Sequence, residues 1–172
     1  MNPSRISKIT LNNKVYNSTF NFYTIKKVQE ELKNQELEHK VYHIFKYLGS
    51  EKYIGKKEFN ITLTAILLYS ISSLGYEENE ISENFLKEKD INIYIVKILE
   101  FINDLIDKCM PKSDEEDEYE KPDWWSPKDW DFDEMEYMWY TILKRSDDFY
   151  KITPKDFFKQ MEIYEKINSN KS

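Results

Sequence analysis

The sequence predicts a mainly helical α+β fold: a small N-terminal β-hairpin, a helical body, and a short helical C-terminal unit on an acidic linker. Three observations lead there. Gly 3 and Pro 5 in 172 residues leave too few breakers for an all-β sandwich with many tight turns. Apolar residues recur at helical spacing over most of the chain, after a β-branched, alternating start. Between Pro111 and Asp123, seven carboxylates face Lys112 and Lys121, and this run divides residues 1–110 from residues 124–172. Charges of one sign packed this densely repel, and nothing apolar in Lys112 to Glu118 offsets the entropy of ordering the segment. Residues 111–123 are therefore expected to act as a tether.

Composition narrows the function classes. A net charge of −7, with Lys and Arg scattered among acids, argues against binding a phosphate backbone. Cys109 stands alone, which rules out an internal disulfide and any multi-cysteine zinc site, and fits a reduced, cytoplasmic setting. No charged start followed by an apolar core and cleavage site is seen, so no signal peptide is expected. The most apolar window, Ile61 to Tyr76, is broken by Thr62, Thr64, Ser70, Ser72 and Ser73. It falls short of the ~20 residues needed to cross a bilayer.

Taken in order, Ile6 to Leu11 alternates and Val15 to Phe20 is β-branched and aromatic. Asn12-Asn13 between them suits a two-residue hairpin turn, because asparagine tolerates positive φ. From Thr24 the period changes: Ile25, Val28 and Leu32, then Leu37, Val41, Ile44, Phe45 and Leu48, give one long helix or two meeting near Asn34, closed by Gly49. Asn60 is a candidate cap for a central helix bearing Leu63, Ile66, Leu67, Ile71 and Leu74, stopped at Gly75. Ser82, Phe85 and Leu86 indicate a short helix. Ile91 to Ile106 forms a strongly amphipathic one, whose apolar arc is widened by Ile93, Tyr94 and Phe101.

Past the linker, Ser126-Pro127 with Asp129, Asp131 with Glu134, and Thr153-Pro154 with Asp156 each place a capping oxygen ahead of an apolar run. They predict helices over Pro127 to Trp130, Phe132 to Lys144, and Pro154 to about Ile167. The middle one is apolar or aromatic nearly all round. So small a unit has too little interior to hide its many large rings alone. The rings either form the unit's own core or wait for a partner, for which Trp and Tyr are the usual anchors.

Catalytic chemistry finds no frame. His39 and His43, at i, i+4 with Glu36 one turn earlier, could hold a metal on a helix face, but no second glutamate is placed as in a zinc protease motif. The acidic run lacks the Asp-x-Asp-x-Asp-Gly order of a calcium loop. Cys109, near a helix C-terminus with only Lys108 beside it, is expected to be inert. With no glycine-rich phosphate loop or nucleophile elbow, a non-enzyme without cofactor or metal is the expectation.

The order of elements resembles the tail assembly chaperones of long-tailed bacteriophages and prophages. The specific part is Trp130-Asp131-Phe132-Asp133 before an aromatic helix, then Asp148-Phe149-Tyr150, Ile152-Thr153-Pro154 and Asp156-Phe157-Phe158, which is similar to the C-terminal extension of that family's longer form. In the family a programmed frameshift often appends this extension. The resemblance implies a protein of the host cytoplasm, absent from the mature virion, that coats the tape measure protein and recruits tail tube subunits. Self-association is a further possible contact, whereas nucleic acid and membrane are not expected as partners. The expected partner contacts are Trp124, Trp125, Trp130, Phe132, Trp139, Tyr140, Phe149, Phe157 and Phe158, with Ile95 and Ile102 on the long amphipathic helix. The alternative is an acidic phage-encoded inhibitor, an anti-defence protein whose Asp114 to Asp123 run mimics nucleic-acid phosphates.

Overall fold

An N-terminal 3-10 turn, Pro3–Arg5, and two short strands open the chain in the computed structural model, which describes residues 2–88, 91–111 and 130–169. β1 (Ser7–Leu11) pairs antiparallel with β2 (Lys14–Ser18), with Ile9 opposite Tyr16 and Leu11 opposite Lys14. Asn12 (φ 50°) and Asn13 (φ 67°) are both left-handed, as the tight hairpin turn requires. Ser7, Ile9, Leu11, Tyr16 and Ser18 point inward.

Asn21 caps α1 (Phe22–Asn34), its side chain accepting from the Thr24 N–H at 2.9 Å. The sequence leaves one helix or two here; the chain makes two, and the backbone shows why. Glu36 is left-handed (φ 59°), the Glu36 N–H donates to the Lys33 carbonyl and the Leu37 N–H to the Leu32 carbonyl at 2.9 Å. This is a Schellman ending in which Leu37 folds back on the core, with glutamate where glycine is usual. α2 (Val41–Gly49) follows.

α3 (Lys57–Ser72) touches α1, α2, α4, α5 and β2, and so holds the body together. It starts a turn before the expected cap: Asn60 lies inside the helix, because Phe59 is itself a core residue and must be delivered on helical backbone. Gly75 (φ 97°) then turns the chain into α4 (Glu78–Leu86), and α5 (Ile91–Cys109) runs back past β1 and α3. The main core gathers Leu11, Tyr16, Phe20, Ile25, Leu32, Ile44, Ile66, Ile71, Ile98 and Leu105.

The C-terminal segment begins with α6 (Phe132–Tyr137), capped by Asp131, whose carboxylate accepts from the Glu134 N–H at 3.1 Å. The expected single helix to Lys144 instead widens into a π turn over Met138–Ile142, with the Leu143 N–H reaching the Met138 carbonyl at 2.8 Å. A 3-10 turn, Phe149–Lys151, and α7 (Pro154–Ser169) complete the chain. The tether Lys112 to Asp123, the helix start at Pro127, and the rings Trp124 and Trp125 lie outside the described residues.

Candidate interaction surfaces

A second, smaller core sits beside the first, and one residue of the N-terminal body stands at its centre. Phe22, fully buried at the start of α1, stacks on Phe149 with ring centroids 4.3 Å apart. It also meets Phe132, Phe157 and Trp130 edge-on at 5.7, 5.8 and 6.0 Å. Met135, Trp139, Phe149 and Phe157 are the other buried members. Aromatic pairs at these separations each contribute about 0.5–1.5 kcal/mol beyond the area they cover. Polar contacts fix the same junction: the Phe22 N–H donates to the Ile152 carbonyl at 3.1 Å, and Lys155 Nζ to the Asp107 carbonyl at 2.9 Å. Arg5 donates to Asp156 Oδ1 from Nη2 at 3.0 Å and Nε at 3.2 Å. Asp156 in turn is tied to Thr153, whose hydroxyl accepts from the Asp156 N–H at 3.3 Å at the head of α7.

This arrangement corrects part of the expected contact set. Trp139, Phe149 and Phe157 are buried by the chain itself, and Ile102 lies in the main core. The small unit's shortage of interior is met by borrowing Phe22 from α1. Trp139 is further held by its Nε1–H, which donates to the Asp147 carbonyl at 2.8 Å, and by Arg145 over its ring. Trp130, Phe132 and Phe158 are half-buried at the junction, and Ile95 is half-buried on α5. Tyr140 remains exposed, with its hydroxyl accepting from the Phe149 N–H at 2.9 Å. Beyond them, Tyr137, Ile163, Tyr164 and Ile167 are apolar side chains left in solvent, the last three on the distal turns of α7.

Sequence reasoning passed over Phe22, because it placed the helix start at Thr24. The signal was present in Phe20-Asn21-Phe22-Tyr23, where a capping asparagine sits among three rings.

A different surface runs along α3. From Phe59 to Tyr76 the chain carries no charged residue, yet α3 is not covered on every side. Asn60 and Thr64 are exposed, and Ile61, Leu68 and Tyr69 half-buried. An apolar trough lies along each flank of this ridge. One, of about 340 Å³, is walled by α4 and α5 through Phe85, Leu86, Tyr94 and Ile95; the other, of about 330 Å³, faces α1. Asn60 and Thr64 line both, and the charged residues lining them are Glu88 on one side and Glu31 on the other. The sequence marked this window as a central core helix, too short to span a bilayer, and not as an exposed surface.

The remaining candidates for chemistry are placed as follows. His39 precedes α2 in a loop, its Nδ1 3.3 Å from the Leu37 carbonyl, so His39 and His43 do not share a helix face. Among the described residues no group of three or more His, Cys, Asp or Glu is placed to hold a metal. The Cys109 thiol is buried between β2 and the N-terminal turn, with the Phe20 N–H donating to Sγ at 3.4 Å, and burial pushes its pKa up. Asp104 ties α5 to β1: the Ser7 hydroxyl donates to its carboxylate and, with Lys108 one turn on, holds its pKa below the ordinary value. Among the described residues no helix is long and apolar enough to cross a membrane.

Compared with protein families, with characterised proteins and with solved structures, the chain matches none.

Proposed function

We propose that this chain is a non-enzymatic tail assembly chaperone, which shields an aggregation-prone segment of the tape measure protein in the host cytoplasm and recruits tail tube subunits. It leaves before the virion is complete. The observation that carries this reading is the use made of the C-terminal motifs on which the resemblance rests. Asp148-Phe149-Tyr150 forms the turn that stacks on Phe22, Ile152-Thr153-Pro154 supplies the carbonyl that accepts from the Phe22 N–H, and Phe157 closes the same cluster. The extension is thus a docked unit whose small core is completed by Phe22 of the body, to which an acidic run joins it. That plan suits a protein that holds one client on its body and presents another from its appendage.

In this reading Tyr140, Trp130, Phe132 and Phe158 form the accessible rim of the aromatic unit and meet the tube subunit, while Ile95 belongs to the surface for the tape measure. Co-expression with the tape measure and tube proteins of the same phage or prophage is the direct test. A soluble complex that co-purifies is expected; recovery of both clients in the insoluble fraction, with this chain alone in solution, overturns the reading.

A further inference from the structure

We infer that the α3 ridge, with the trough on each of its flanks, is the docking surface for an amphipathic helix that carries Lys or Arg on both sides of an apolar stripe. A helix that faces water normally places charged residues on that side. After Lys57 in its first turn, α3 does the opposite: its outward positions Asn60, Ile61, Thr64 and Leu68 are uncharged in a chain where 33% of residues are charged. The troughs beside them are floored by Leu63, Ala65 and Ile98 and are wide enough to take aliphatic side chains from a helix laid across the ridge. Leu86 at the lip is 80% exposed, a large apolar side chain with nothing over it among the described residues.

Charge selects the occupant. Glu31 bounds one trough and Glu88 the other, so an incoming helix meets carboxylates on both flanks of an apolar floor. A second copy of this chain docked through the same surface would set the glutamates of one partner against those of the other, with −7 on each. A helix with basic flanks gains attraction where a second copy meets repulsion. The inference rests on the client-binding reading only for the source of such a helix in the cell.

The test uses the full chain and a synthetic helical peptide of about 20 residues, long enough to populate helix when bound. It is built of Leu and Ala with Lys flanking the leucine stripe. Two controls have the lysines replaced by Glu, or the same composition in scrambled order. Calorimetry or fluorescence anisotropy is expected to show binding of the Lys peptide, weakened by added salt, and little binding of either control. Thr64→Glu sets a charge on the ridge shared by both troughs and should weaken binding about ten-fold or more. Glu31→Lys and Glu88→Lys should each weaken it about two- to five-fold. Should Thr64→Glu fail to fold by circular dichroism, Leu86→Lys, which sets a cation at the exposed lip beside Glu88, reads the same surface and should also weaken binding. Equal binding of the Lys and Glu peptides, or unchanged binding by Thr64→Glu and Leu86→Lys, overturns the inference. So does a wild-type dimer in sedimentation that Thr64→Glu converts to monomer. Peptide binding together with failed co-expression counts against the chaperone and leaves the docking surface standing; the reverse outcome does the opposite.

Discussion

The body and the C-terminal segment solve the burial problem differently. The body surrounds α3, a helix without charge beyond its first turn, on several sides, and its core draws on both strands and all five helices. Among the described residues the smaller core has five buried members, four from the C-terminal segment and one, Phe22, from the body. The difference teaches that a segment rich in aromatic residues need not be an independent domain or a free binding arm: a single ring supplied by a neighbour completes it. It also separates two kinds of exposed apolar surface, the rim left over around the small core and the uncharged ridge on the large one.

Predictions follow from that contrast in order of size. Phe22→Ala removes the shared ring, and for a fully buried phenylalanine the cost is about 3–5 kcal/mol. The loss should fall on the C-terminal segment: limited trypsin digestion is expected to cut between residues 130 and 169 much faster, while the body keeps its helical circular dichroism. Collapse of the whole chain would make the two cores one. Ile66→Ala, in the centre of α3, should cost about 2–5 kcal/mol and lower the urea midpoint of both regions together, since the small core cannot stand without α1.

Arg5→Gln breaks a half-buried, doubly hydrogen-bonded ion pair to Asp156, worth about 1 kcal/mol. Its effect should appear as faster hydrogen exchange in the first turns of α7 and leave α3 untouched. Glu36→Gly should act in the other direction, stabilising the body by up to about 1 kcal/mol, because glycine adopts the left-handed ending of α1 without the Cβ clash. A small pH effect belongs to the body as well. The Asp104 carboxyl has its pKa lowered, first by the Ser7 hydroxyl and then by Lys108 against the opposing effect of burial. Its contribution is therefore complete above the ordinary carboxylate range and is lost as pH falls through the lower folded value, below about pH 4. Asp104→Asn should flatten the acid limb of the stability curve without altering it at pH 7 and above in slope.

Much of the fold was legible in the sequence, because the local signals agreed with one another. Asn12-Asn13 gave the turn, the Ile25, Val28, Leu32 spacing gave α1, and Thr153-Pro154 with Asp156 gave the start of α7. Local signals failed where a distant contact decided the outcome. The cap at Asn60 was overridden because Phe59 is needed in the core, and the π turn at Met138–Ile142 has no marker in composition. The burial of Trp139, Phe149 and Phe157 depended on Phe22, more than a hundred residues away, and no periodicity reports such a pairing. The ridge on α3 was hidden for a related reason: an uncharged helix reads the same whether it is wrapped on every side or bare along one.

Native-state hydrogen exchange of the full chain, followed across a denaturant series, tests the two-core account most directly. Amides of α6, the Phe149–Lys151 turn and the first half of α7 should open together as one unit, at a lower free energy than those of α1, α3 and α5. A single opening free energy shared by all of these helices would contradict it.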